Sequence, residues 1–78
     1  MDNSAQYLQK FLKEKRSQAN LTQPELAAKA GVGLRFIREM EQGKSTLRMD
    51  KVNQVLRLFG HELVPVPFNR QKYIDETS

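Results

Sequence analysis

No cysteine and no tryptophan occur among the 78 residues, and histidine occurs once, at His61. Without cysteine the chain has no disulfide staples, no thiolate-bound zinc or iron–sulfur cluster and no thiol nucleophile, a composition that suits a reducing cytoplasm. One histidine leaves too few nitrogen donors for an ordinary zinc site, so no metal and no cofactor are expected. No run of apolar residues approaches the ~18 needed to span a bilayer, and the N-terminus lacks a signal-like apolar segment; a cytoplasmic chain with no membrane partner is expected. The serines have no histidine or lysine constellation around them, and no carboxylates are paired for acid–base work, so the chain is not expected to be an enzyme.

What is present is positive charge. Thirteen Lys and Arg stand against nine Asp and Glu, for a net charge of +4 and a pI near 9.7. The whole excess falls within residues 1–48, since residues 49–78 balance and end in an acidic stretch. A polyanion should therefore meet the first two thirds of the chain. Seventy-eight residues make one domain. A chain of this size buries only roughly 60–65% of the surface that its unfolded form exposes, so a thin core, shared with a second copy, is expected.

Helical periodicity fills those first two thirds. Leu8, Phe11, Leu12 and Arg16 recur at three- and four-residue steps after Ser4, a candidate N-cap, and predict a helix over 5–18. Thr22-Gln23-Pro24-Glu25 has the form of a capping box, with proline in the first turn where a missing N–H costs little. A short second helix follows, buried through Leu26, Ala27 and Ala30, and Gly31 suits the left-handed residue that closes it. After Val32 and Gly33 a third helix runs from Leu34 to Gln42, with Ile37, Met40 and Glu41 on one side and Leu34, Arg35, Arg38 and Glu39 on the other. Met49, Val52, Val55, Leu56 and Phe59 mark a fourth helix, stopped by Gly60. The core is expected from Leu12, Leu21, Leu26, Ala27, Ile37, Met40, Val52, Val55, Leu56 and Phe59, with Met49 as a further filler.

The pattern then changes. His61-Glu62-Leu63-Val64-Pro65-Val66-Pro67 is too short and proline-rich for a helix, and its prolines confine any strand to an edge or a pair. It must pack as an extended segment on the helices or pair with the same segment of a second copy. Residues 1–60 are thus expected to form the binding domain, 61–67 a dimerisation strand through Leu63, Val64 and Val66, and 68–78 a polar tail.

Two short helices joined by a glycine-bearing turn, the second displaying basic residues on its outer side, constitute a helix-turn-helix pattern. Small Ala27 and Ala30 let the helices cross closely, and the face opposite Ile37 and Met40 is free to enter a major groove.

Leu21-Thr22-Gln23-Pro24-Glu25-Leu26-Ala27, then Ala30-Gly31-Val32, Ile37, Glu41 and Gly43-Lys44 resemble the Xre/Cro-type helix-turn-helix regulators of bacteria and phages over roughly residues 7–60. The resemblance implies an all-α, lambda-repressor-like fold of four to five helices and a DNA-binding transcriptional repressor. More narrowly, Gly33-Leu34-Arg35-Phe36-Ile37, Gly43-Lys44, Thr46-Leu47 and a strand after the fourth helix look like HipB-type antitoxins. That likeness implies a homodimer paired through its C-terminal strands, double-stranded DNA as ligand, and a HipA-type Ser/Thr kinase toxin as partner. A regulator without a toxin, or an adaptor that uses the fold for protein contacts, are the alternatives.

Carried over by position, the family pattern makes Gln23 a phosphate-gripping residue at the second helix N-terminus and turns Gly33, Leu34, Arg35, Arg38 and Glu39 toward the groove. Arg35 and Arg38 can each bond guanine O6 and N7 together, Leu34 can touch a thymine methyl, and Glu39 either accepts from a cytosine amine or orients an arginine. Gln42 and Lys44 fall where the family meets the backbone beyond the groove. Gly33 replaces the Ser or Thr that caps the third helix in many members, which gives up a side-chain bond there. Arg16 and Glu41 match an internal ion pair joining the first and third helices, although Arg16 can instead lie on DNA. On charge alone, Arg35 and Arg38 read as a solvated face, the commonest fate of charged residues on an amphipathic helix. Phe36 is expected as a half-buried wedge and His61 as a strand-edge residue.

Overall fold

A computed structural model describes residues 4–67 of the chain. Among the described residues four α-helices follow one another, α1 (Ser4–Gln18), α2 (Gln23–Ala30), α3 (Leu34–Glu41) and α4 (Met49–Leu58). The boundaries sit within a residue or two of the periodicity. Ser4 is itself helical rather than a cap, Gln42 caps the end of α3, and Phe59 caps α4 instead of extending it. Among the described residues no helix is long and apolar enough to cross a membrane.

Local chemistry sets each end. The Thr22 hydroxyl accepts from the Glu25 N–H at 3.2 Å while the Glu25 carboxylate accepts from the Thr22 N–H at 2.9 Å, so α2 starts with a complete capping box. The Thr22 backbone N–H, and after it the Thr22 hydroxyl, hold the Glu25 carboxyl below the usual carboxylate range. All four helices stop in the same way: a residue with positive φ, Asn20, Gly31, Gly43 or Gly60, turns the chain so that the following N–H reaches back five residues to a free carbonyl. At Gly31 the turn is also clamped from outside. The Gln54 side-chain amide on α4 donates to the Ala30 carbonyl at 2.9 Å and the Gly31 carbonyl at 3.0 Å, satisfying the end of α2.

Leu12 of α1, Leu26, Ala27 and Ala30 of α2, Ile37 and Met40 of α3, and Val52, Val55 and Leu56 of α4 form one buried cluster. Full burial of a side chain such as Leu26 or Ile37 is worth about 1.5–3 kcal/mol, which is why these short helices, marginal alone, hold together. Leu21 and Phe59, expected in this core, are half-buried at its rim. Met49, also expected inside, is 67% exposed: as the first residue of α4 it lies one turn before the stripe of Val52, Val55 and Leu56 makes contact. Phe36 is half-buried against the cluster, and the Lys51 ammonium lies 6.0 Å from its ring centre.

Residues 61–67 form no strand, and none exists among the described residues. The physical reason is want of a partner, since one extended segment beside four helices has no ladder to join and Pro65 and Pro67 carry no N–H. The segment instead packs on its own chain. The Leu63 N–H donates to the Asn53 side-chain oxygen at 2.7 Å, and the Leu63 side chain rests on the core. His61 is exposed, its Nδ1 2.7 Å from the Phe59 carbonyl and its ring edge-on to Phe11 at 4.7 Å. The polar tail expected at 68–78 lies outside the described residues.

Gly31 has φ +75°, and a Cβ there would stand 2.9 Å from the Gln54 amide nitrogen. Gly31→Ala therefore combines left-handed strain with displacement of the clamp and should lower stability by about 1–2 kcal/mol in urea melts, more than an ordinary glycine exchange. Gly33→Ala, at a position with open space around the new carbon, should stay within about 0.5 kcal/mol of the parent.

Candidate nucleic-acid interface

The turn Gly31–Gly33 carries α2 into α3, and burial of Ile37, Met40 and Glu41 leaves the opposite side of α3 outward. On that side Arg35 has 91% of its side chain exposed, and Arg38 is exposed, its side chain making no hydrogen bond or ion pair among the described residues. Leu34, expected on the outer face, is half-buried against the core, so only part of it is available outside. Gly33 precedes the helix in an extended conformation without a side-chain cap.

Glu39 is not a free acceptor. Its carboxylate takes the Lys44 ammonium at 2.7 Å and lies 3.9 Å from the Arg35 guanidinium. The Lys44 hydrogen bond, followed by the charges of Lys44 and Arg35, holds the Glu39 carboxyl below its ordinary value. Lys44 is thus tethered over the end of α3, next to the exposed Gln42.

Behind this face lies a network that fixes α1, α2 and α3 to one another. Glu41 is 3% exposed, the one charged residue in the core among those described. Arg16 reaches its carboxylate through Nε at 2.7 Å and Nη2 at 3.0 Å, a two-pronged pair, and also donates to the Leu21 carbonyl at 3.0 Å. Arg16 therefore faces inward rather than lying on the outer surface of α1, and the Glu41 bond raises its already high pKa. The Glu41 backbone carbonyl accepts from the Gln9 amide at 2.9 Å.

Gln23, expected to point to phosphate, sits half-buried at the start of α2 with Nε2 3.3 Å from Glu41 Oε1. Sequence reasoning paired Arg16 with Glu41 but missed Gln9, Gln23 and Gln54 as partners inside the fold. For Gln9 the signal was available, because it stands three residues before Leu12 and seven before Arg16 on the same stripe of α1. For Gln54 only the three-dimensional crossing of α2 and α4 reveals the contact. Of the residues expected at a dimer interface, Leu63 faces its own core, whereas Val64 and Val66 are 62% and 75% exposed.

Two helices crossing over small alanines, a closed turn between them and a cationic outer face on the second define a helix-turn-helix unit. The helix-turn-helix family pattern matches residues 12–64, more than half of the chain, and the protein belongs to that family. A relative from Sinorhizobium fredii, named as an uncharacterized HTH-type transcriptional regulator, y4mF, is 48% identical over 58 residues, a span covering 73% of this chain and 76% of the relative. No solved structure is matched.

Removing one partner of the Arg16–Glu41 pair strands a buried charge. Arg16→Ala should cost about 3 kcal/mol, the lower part of the range for buried pairs because Arg16 keeps some exposure. Thermal melting should show this as a drop of about 12–24 °C in a domain of this size. Arg35→Ala, which breaks only an exposed pair, should move the midpoint by no more than about 0.5 kcal/mol.

Proposed function

We propose that this protein is a sequence-specific, DNA-binding transcriptional repressor that acts as a homodimer on a palindromic operator. The observation that carries the reading is the outer face of α3, where the Arg38 side chain is unengaged among the described residues and Arg35 is almost fully exposed, opposite a face locked into the core. Guanidinium groups held this way match guanine edges in the major groove. Arg35 and Arg38 read bases, and Leu34 offers its exposed part to a thymine methyl. Gly33 lets a phosphate approach the bare N–H groups that begin α3. Glu39, occupied by Lys44 and Arg35, orients those cations instead of accepting from cytosine. Gln23, Gln42 and Lys44 meet phosphates on either side. The name of the Sinorhizobium relative favours the regulatory reading.

The dimer forms through residues 61–67. In an extended segment alternate side chains face opposite ways, so Leu63, tied to Asn53 and the core, leaves Val64 and the neighbouring Val66 outside. Pairing with the same segment of a second copy covers these valines and supplies the ladder that a single chain lacks. The chain then divides into a DNA-binding unit at 1–60, a dimerisation segment at 61–67 and a polar tail at 68–78, working in the cytoplasm on nucleoid DNA. The stretch Gly33-Leu34-Arg35-Phe36-Ile37 with Gly43-Lys44 favours a finer role, that of a HipB-like antitoxin that represses its own operon and neutralises a HipA-type kinase. Co-purification of such a kinase, encoded next to this gene, tests that role.

Selection of bound sequences from a random duplex pool should yield a palindrome with half-sites about 34 Å apart, and recovery of unrelated sequences would overturn the reading. Arg38→Ala should cost about 1–3 kcal/mol at one base pair and relax preference there, whereas Lys44→Ala should weaken all sequences alike. With about three phosphates neutralised per protomer, affinity should fall about 10³–10⁵-fold between 50 and 200 mM salt. Val64→Lys with Val66→Lys should sediment as a monomer with its helical circular dichroism kept; a dimer that survives both changes would place the interface elsewhere.

A further inference from the structure

Besides Arg16, the Glu41 carboxylate holds a second group, and that group lies at the tip of α2 where DNA would approach. Oε2 accepts from Arg16 Nε, while Oε1 accepts from both Arg16 Nη2 at 3.0 Å and Gln23 Nε2 at 3.3 Å. An ionised carboxylate has no proton to give, so of the two ends of the Gln23 amide only the nitrogen can face it. That nitrogen carries two hydrogens. With one engaged by Glu41, the second points away from the carboxylate.

The donors around that tip are few. The Glu25 N–H goes to the Thr22 hydroxyl, the Leu26 N–H goes to the Thr22 carbonyl at 3.0 Å, and Pro24 has none. The Gln23 backbone N–H, which has no intrahelical partner, and the second hydrogen of its side-chain amide remain. A glutamine left unheld would sample many rotamers and would turn its carbonyl outward as readily as its nitrogen, which repels a phosphate oxygen. The buried carboxylate removes both losses before DNA arrives.

We infer that Glu41 is a positioning residue for DNA binding: it fixes the Gln23 side-chain amide with its nitrogen inward and so presents a ready donor to a backbone phosphate beside the α2 N-terminus. This rests on the proposed reading of α2 as a phosphate-facing helix end, and it deepens that reading by naming what orients the donor. Because Arg16 grips the same carboxylate, the anchor that joins α1 to α3 also sets the strength of a contact made by α2.

The test is a double-mutant cycle on the full chain with Gln23→Met and Glu41→Gln, measuring affinity for the selected operator across a salt series. It is run at a temperature where circular dichroism shows each variant folded. In the parent background Gln23→Met, which keeps length but loses the donor, should weaken binding about tenfold at every salt concentration and leave the salt slope unchanged, because an uncharged amide releases no counterion. In the Glu41→Gln background the same change should alter affinity less than about threefold, because the donor is no longer aimed. A structural role for Glu41 alone predicts the full loss in both backgrounds, which would overturn the positioning role and leave the phosphate contact standing. No loss in either background would overturn the contact itself, while operator selection still decides the function. Should Glu41→Gln fail to fold, side-chain ¹⁵N relaxation of the free parent protein decides between the two roles. The Gln23 amide should be markedly more ordered than that of exposed Gln18, and equal mobility would overturn the proposal.

Discussion

Taking a carboxylate out of water costs several kcal/mol unless the protein replaces the lost hydration, and at Glu41 three N–H groups do so. That requirement organises much of the molecule. Arg16 must come from α1 at the height where its fork spans both oxygens, which fixes the rotation and slide of α1 against α3. Gln23 must come from the first position of α2, which fixes where α2 begins. The apolar cluster of Leu12, Leu26, Ile37 and Met40 contributes most of the energy of association, but apolar contacts are forgiving about register. A forked hydrogen bond is not. The small core therefore supplies stability, and the buried charge supplies the geometry that orients the outer face of α3.

The two roles of charge in this chain are separated by a single helix turn. Glu41 faces inward and is consumed by the fold, whereas Arg38, three residues earlier, faces outward and is left unengaged among the described residues. Glu39, between them, is tied to Lys44 and close to Arg35, so the outer surface already carries its own arrangement of cations. A charged helix side that was merely solvated would be expected to pair at random. Here Glu39 holds Lys44 and lies near Arg35, and among the described residues the Arg38 side chain is left without an ion pair.

Much of the fold was legible from residue order because the signals were local. The capping box at Thr22–Glu25, the glycines after α2 and α3, and the apolar stripes of α3 and α4 each act within a few residues, and the structure has them in place. Met49 misled because periodicity does not say where along a helix the neighbouring surface begins. The strand expected over 61–67 rested on chemistry that one chain cannot complete, and Leu63 found a side-chain partner in Asn53 instead. Within the candidate site, the positions of Arg35 and Arg38 follow from helix geometry. The capture of Gln23 by Glu41 and of the α2 end by Gln54 depends on how helices cross, a property that residue spacing does not encode.

The four helix ends share one design, a left-handed residue followed by an N–H that reaches back to the last turn. Each reversal of the chain is thereby decided within six or so residues, with no distant contact needed to choose its direction. Helical chains dominated by such short-range decisions reach the native state on the order of microseconds to milliseconds. For a protein of this size, which has few fully buried side chains, speed of that kind shortens the interval in which its apolar surface is open to other molecules. The punctuation of the helices thus protects the chain during its making.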